Sequence, residues 1–145
     1  MTPHEISLLK SSLHRIAPIA DQAAALFYAR LFDLDPNLRD LFQGDMREQG
    51  RKLMQAIRAA IHGLDRPEIL APAVRQLGRR HAGDHVTESQ YETFGTALLW
   101  TLEKGLGPDF TDEARTAWAK TYWLLAETAK AGARDAAAMQ SRAVA

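Results

Sequence analysis

Apolar residues recur at steps of three and four along almost the whole chain, and no stretch alternates long enough to argue for a strand. Residues 3–17 open on Thr2, with Pro3 in the first turn and Glu5 three positions after Thr2, the pattern of a capped helix start. A second helix over 19–34 stops at Asp35-Pro36, because proline lacks a backbone donor and restricts the residue before it. A short helical turn through Leu38 and Leu41 follows and ends near Phe42-Gln43-Gly44. Residues 45–63 carry Met46, Gln49, Gly50, Leu53, Ile57, Ala60 and Leu64 at helical steps, one face of a helix. A helix over about 67–80 places Leu70, Val74, Leu77, Gly78 and His81 on one stripe. Val86-Thr87 followed by Gln90 predicts a capped start for 88–105, which buries Tyr91, Phe94, Gly95, Leu98 and Leu102. Thr111 opens a last helix with Ala114, Trp118, Tyr122, Leu125 and Ala129 aligned, and the alanine-rich tail from Gly132 onward is expected to fray. The expected architecture is all-α, about seven helices in one domain over 1–132, with a tail over 133–145.

Composition narrows the function classes. Hydrophobic residues make up 46% and charged residues 25% of 145, an ordinary globular balance. Eighteen basic and eighteen acidic side chains cancel, which gives no support for a nucleic-acid or anionic-membrane partner. The absence of cysteine excludes disulfides, thiolate metal sites and cysteine catalysis. The start, MTPHEISLLKSSLHR, has no basic-then-apolar signal pattern, and the expected location is the cytoplasm.

Three polar side chains fall where a plain helical core would prefer apolar ones. Gln49 lies one turn before Leu53, Tyr28 faces inward with Ala24, Leu31 and Phe32, and His81 ends the stripe of the fifth helical segment. Read alone, each has an ordinary account: an interhelical bridge, a core ring with one hydroxyl partner, a core histidine. His4, His14 and His62 are scattered at unrelated spacings, and Gly83-Asp84 breaks the alignment of His81 with His85, so no zinc set forms. No nucleophile context or phosphate-binding loop is present; Gly105-Leu106-Gly107-Pro108 reads as a turn.

Taken in order, LFYARLFDLDPNLRDLF, EQGRKLMQAI and LGRRHAGDHVTESQYETFGTALLWTLEKGLGPDF resemble the globin family over roughly residues 5–130. The likeness is to single-domain bacterial globins and the haem domain of flavohaemoglobins, and more distantly to neuroglobin. It implies a haem b (iron protoporphyrin IX) cofactor with His81 as the proximal metal ligand, since a neutral imidazole is a good axial ligand and leaves the opposite face open. Phe42 matches the phenylalanine that packs on the porphyrin, and Tyr28 and Gln49 match the two distal positions. Leu53 and Ile57 follow on the distal helix, with Leu77, Val86, Tyr91, Phe94 and Leu98 on the remaining haem wall. Lys52 matches the position that can reach a haem propionate, and Arg80 is a second candidate; an ordinary solvated helix charge is the alternative for each.

The distal pair implies tight binding of oxygen, because a hydroxyl and an amide both donate to a ligand that carries charge. Oxygen, nitric oxide and other diatomic gases are the implied ligands, and conversion of nitric oxide to nitrate the implied reaction, with electrons from an external reductase. Flavohaemoglobins buttress the proximal histidine with a tyrosine and a glutamate. Tyr91 matches the tyrosine, but the glutamate position falls near Ala133, and Glu127 lies about two turns earlier. A weaker proximal acceptor argues against peroxidase-like O–O cleavage. The alternatives are a haem-based gas sensor and a haemless globin-fold interaction protein.

Overall fold

The computed structural model describes residues 1–42, 44–83 and 86–144, with side chains at all of these except 81–83 and 140–144. Among the described residues, regular structure consists of six α-helices and three 3-10 segments. The first helix, α1 (Pro3–Ile16), starts at a reciprocal cap. Thr2 Oγ1 accepts from the Glu5 amide at 3.1 Å, and the Glu5 carboxylate accepts from the Thr2 amide at 3.0 Å. The Thr2 amide, with Lys120, holds the Glu5 carboxyl well below the usual range, at about 2.

A 3-10 turn at Ala17–Ile19 leads into α2 (Ala20–Leu34). Asp35 leaves the helical region, and its carboxylate accepts from the Asn37 amide to open the 3-10 helix Pro36–Leu41. This segment is the short turn counted in the sequence as a seventh helix; Pro36 begins a tight turn there instead of ending a full one. Asp45 caps α3 (Met46–Gly63). Next come α4 (Pro67–Gly83) and α5 (Glu88–Leu106), the latter opened by a reciprocal Thr87–Gln90 cap. Gly107 ends α5 with a positive φ of 56°, a conformation that favours glycine. Thr111 accepts from the Ala114 amide at the start of α6 (Asp112–Val144).

Two elements run longer than their sequence pattern. Helix α4 continues three residues beyond position 80, and α6 continues to Val144 instead of fraying from Gly132. The reason lies in their mutual packing. A Cβ on Gly78 of α4 would land on the Ala129 carbonyl, and a Cβ on Gly132 of α6 would land on the Arg75 carbonyl. Each helix thus uses a bare glycine to admit the other's backbone, and Gly132 is a contact point, not a stop. Arg75 and Asp135 add an ion pair at 3.8 Å beyond it, and the alanines that follow are strong helix formers.

Helix α2 packs on α3 and α5, and α1 on α3, α5 and α6. Leu9, Leu13 and Ile16 of α1 meet Ile61, Leu102, Leu106 and Trp118 in one core cluster. Phe27, Tyr28, Leu31, Leu38 and Ala97 form a second between α2, the 3-10 helix and α5. Among the described residues, no helix is long and apolar enough to cross a membrane.

Candidate functional site

The stripes of α3, α4, α5 and α6 converge on an open apolar cleft of about 400 Å³. Leu53, Ile57 and Ala60 enter from α3, and Leu70, Val74 and Leu77 from α4. Phe94 and Leu98 come from α5, and Leu125, Ala126 and Ala129 from α6. The alanines keep the walls apart at positions where larger residues would close the gap. Leu77 is 41% exposed although it lies on the apolar face of α4, because its side chain borders the cleft. Among the described lining residues, those with polar side-chain atoms are few: Arg80 on α4, Tyr91, Tyr122, Thr121 and Trp118. The Thr121 hydroxyl already donates to the Ala117 carbonyl, and the Tyr122 hydroxyl to the Tyr91 carbonyl. Gly95 makes the second bond feasible, since a Cβ there would collide with the Tyr122 ring. Burial pushes the Tyr122 phenol well above its ordinary value, and the neighbouring Tyr91 adds to that shift.

Beside the cleft lies an aromatic cluster. The Tyr28 ring meets Phe42 edge-on at 5.2 Å and Phe27 at 5.2 Å, and Phe42 lies 5.9 Å from Phe94. Phe27 and Phe94 belong to both cluster and cleft. The Tyr28 hydroxyl donates to the Gln49 backbone carbonyl at 3.3 Å, which ties α2 to the first turn of α3. Burial pushes the Tyr28 phenol up to about 12.

The sequence-predicted residues therefore fall into three groups. Leu53, Ile57, Leu77, Arg80, Tyr91, Phe94 and Leu98 line the cleft together. Tyr28, Gln49 and Phe42 sit next to it, with the Tyr28 hydroxyl turned to the Gln49 carbonyl. Lys52 is exposed on α3, and Val86 is half-buried against the Tyr91–Ala126–Ala129 cluster. His81 lies in the last turn of α4, one helical turn past Leu77, and its side chain is outside the described residues. Among the described residues, no three His, Asp or Glu side chains gather to hold a bare metal ion.

Sequence reading missed the cleft-lining roles of Phe27, Trp118, Thr121 and Tyr122. In the sequence, Trp118 and Tyr122 read only as aligned positions of the last helix. The legible signal was the run of alanines on facing stripes, which leaves an apolar surface without enough volume to fill it.

An all-helical fold with an open apolar cleft, bordered among the described residues by Arg80 and a few hydroxyls, has the shape and chemistry to take a broad, largely apolar ligand. The globin family model matches residues 25–129. The chain is 33% identical over 132 residues to a flavohemoprotein of Xylella fastidiosa strain 9a5c, and 32% identical to that of strain Temecula1. These matches cover 89% of this chain and 33% of each relative, so the chain spans about a third of their length. Among solved structures, a hexacoordinated haem protein from an anhydrobiotic tardigrade superposes with a TM-score of 0.82 at 19% identity, covering 92% of this chain and 96% of that one. An engineered carbene transferase from Rhodothermus marinus, provisionally assigned as a nitric oxide dioxygenase, gives 0.80 at 24% identity over 100% and 99% of the two chains. The chain belongs to the globin family.

Proposed function

We propose that the chain binds haem b in the α3–α6 cleft and holds diatomic gases there, converting nitric oxide to nitrate when a separate reductase supplies electrons. The observation that carries this reading is the apolar cleft itself, within a family-matched chain and next to the Tyr28–Gln49 pair. The residues fit the cofactor: aliphatic walls for a porphyrin face, and Arg80 for an anionic edge. When bound, haem supplies an iron centre that takes up diatomic ligands and exchanges electrons with them.

The roles proposed for this chain's residues follow from their chemistry. His81, in the last turn of α4, would hold the haem iron through its imidazole. Arg80, with Lys52 as the second cation, pairs with the propionates. Phe42 and Val86 pack at the porphyrin edge. The Tyr28 hydroxyl and the Gln49 amide donate to the charge that a bound gas carries on its outer atom. The 3.3 Å bond from Tyr28 to the Gln49 carbonyl is long enough to yield to such an acceptor. Each bond to a charged acceptor contributes about 1.5–3 kcal/mol, so either one slows release roughly 10- to 100-fold. Leu53, Ile57 and Leu98 exclude water from the reacting gases. The net reaction joins nitric oxide, oxygen and one electron into nitrate. The globin family model takes up residues 25–129, and delivery of the electron is assigned here to a separate reductase.

The test is the visible spectrum, oxygen off-rate and nitric oxide consumption of haem-reconstituted protein. We expect a Soret band in the wild type that is lost or strongly altered in His81→Ala, and oxygen release at least tenfold faster in Tyr28→Phe. Reductant-dependent nitrate formation is expected in the oxygenated wild type. A missing Soret band would sink the haem reading, and unchanged off-rates would sink the distal roles.

A further inference from the structure

The Tyr91 hydroxyl is buried at the cleft with no hydrogen-bond partner among the described residues. Behind its ring lies Lys130 of α6, a lysine only 9% exposed. The Lys130 ammonium sits 5.5 Å from the Tyr91 ring centroid and 5.8 Å from that of Trp123, between two aromatic faces that attract a cation. Two carboxylates accompany it, Glu127 at 3.2 Å and Glu88 at 3.7 Å. Their side chains are 62% and 79% exposed, so water screens them, whereas the ammonium is held against apolar surface. Ala133, nearly one turn further along α6, brings no charge. The charge beside Tyr91 that water screens least is therefore the ammonium.

We infer that Lys130 is a positioning residue of the α5–α6 wall: its ammonium holds the Tyr91 ring and makes that wall electropositive, which raises the reduction potential of haem bound in the cleft. A fixed positive charge near an iron centre favours the reduced form, which carries one positive charge fewer. The chain would thereby favour the ferrous state that takes up oxygen. The inference rests on the proposed haem site.

The experiment is spectroelectrochemical titration of the reconstituted full chain as wild type, Lys130→Met, Lys130→Arg and Glu127→Gln, with thermal melts of each. Methionine keeps the length and apolar stem of lysine without its charge. We expect Lys130→Met to shift the ferric-to-ferrous ratio at fixed potential about tenfold toward ferric, a fall of about 59 mV for one electron. Lys130→Arg should retain most of the wild-type value, and Glu127→Gln should move it slightly upward. An unshifted Lys130→Met, or an equal fall in Lys130→Met and Lys130→Arg, overturns the inference while leaving a haem protein with a normal Soret band. Should Lys130→Met fail to fold, the rise in Glu127→Gln decides: no change there overturns it. A wild type with no Soret band overturns the haem reading and this inference with it.

Discussion

Tyr28 shows what a single position costs and contributes before any ligand arrives. Its phenol is buried among Phe27, Phe32 and Phe42 and donates one bond to the Gln49 carbonyl. Burial raises its folded pKa from an ordinary 10 to about 12. A raised folded pKa means that the stabilisation is fully present below pH 10 and is lost as pH climbs from 10 through 12. Tyr28→Phe should therefore lower the melting temperature at pH 8 modestly, by about 1 kcal/mol of lost hydrogen bond, yet decline less steeply than the wild type across pH 10–12. A variant with the same alkaline slope as the wild type would show that the phenol is not what titrates. At this scale the sequence was informative where a polar residue broke an apolar stripe, as at Tyr28 and Gln49. It was silent on Lys130, because a lysine on a helix reads as a solvated charge until the rings on both sides of it are known.

Among the elements, the junction of α4 and α6 carries the tightest requirement. Gly78 and Gly132 admit each other's helix backbone, so an added methyl has nowhere to go. Gly78→Ala should destabilise the protein by about 1–3 kcal/mol despite alanine's better helix propensity, as overpacking outweighs it. The exposed neighbour Arg79→Ala should stay within about 0.5 kcal/mol in the same urea titration. Equal stability of the two would refute the backbone contact. Helix starts were readable because caps are local: Thr2 with Glu5 and Thr87 with Gln90 form as their spacing predicts. Helix ends were less so. Gly132 looks like a terminator in one dimension, and only the Arg75 carbonyl opposite it shows why glycine is there.

For the molecule as a whole, the cleft sets the balance between stability with and without a ligand. Leu77 is 41% exposed in the protein alone, so Leu77→Ser should change haem-free stability little, by under about 1 kcal/mol. With haem added the same variant should lose part of the gain that ligand binding confers, since that gain follows RT ln(1 + [L]/Kd), about 2.7 kcal/mol at a hundredfold excess over Kd. Melts of both proteins with and without haem separate the two effects; a large loss in the haem-free variant would place Leu77 in a packed core instead. The all-helical class and the globin resemblance were legible from periodicity and ordered motifs, because both are carried by residues close in sequence. Seven cleft residues, Leu53 and Phe94 among them, were legible through that resemblance; the α6 wall was not, since it depends on stripes that meet only in three dimensions and on alanines whose significance is the space they leave.

The bond from Tyr28 to the Gln49 carbonyl also bears on selectivity among gases. Under the proposed distal role, a ligand must draw the hydroxyl away from an acceptor it already has. A weakly polarised gas such as carbon monoxide offers too little in exchange, and the hydroxyl stays on α3. A ligand with charge on its outer atom outbids the carbonyl. Discrimination would then depend on a difference between two acceptors, and on that proposal the backbone of α3 would serve as the internal reference against which each incoming gas is compared.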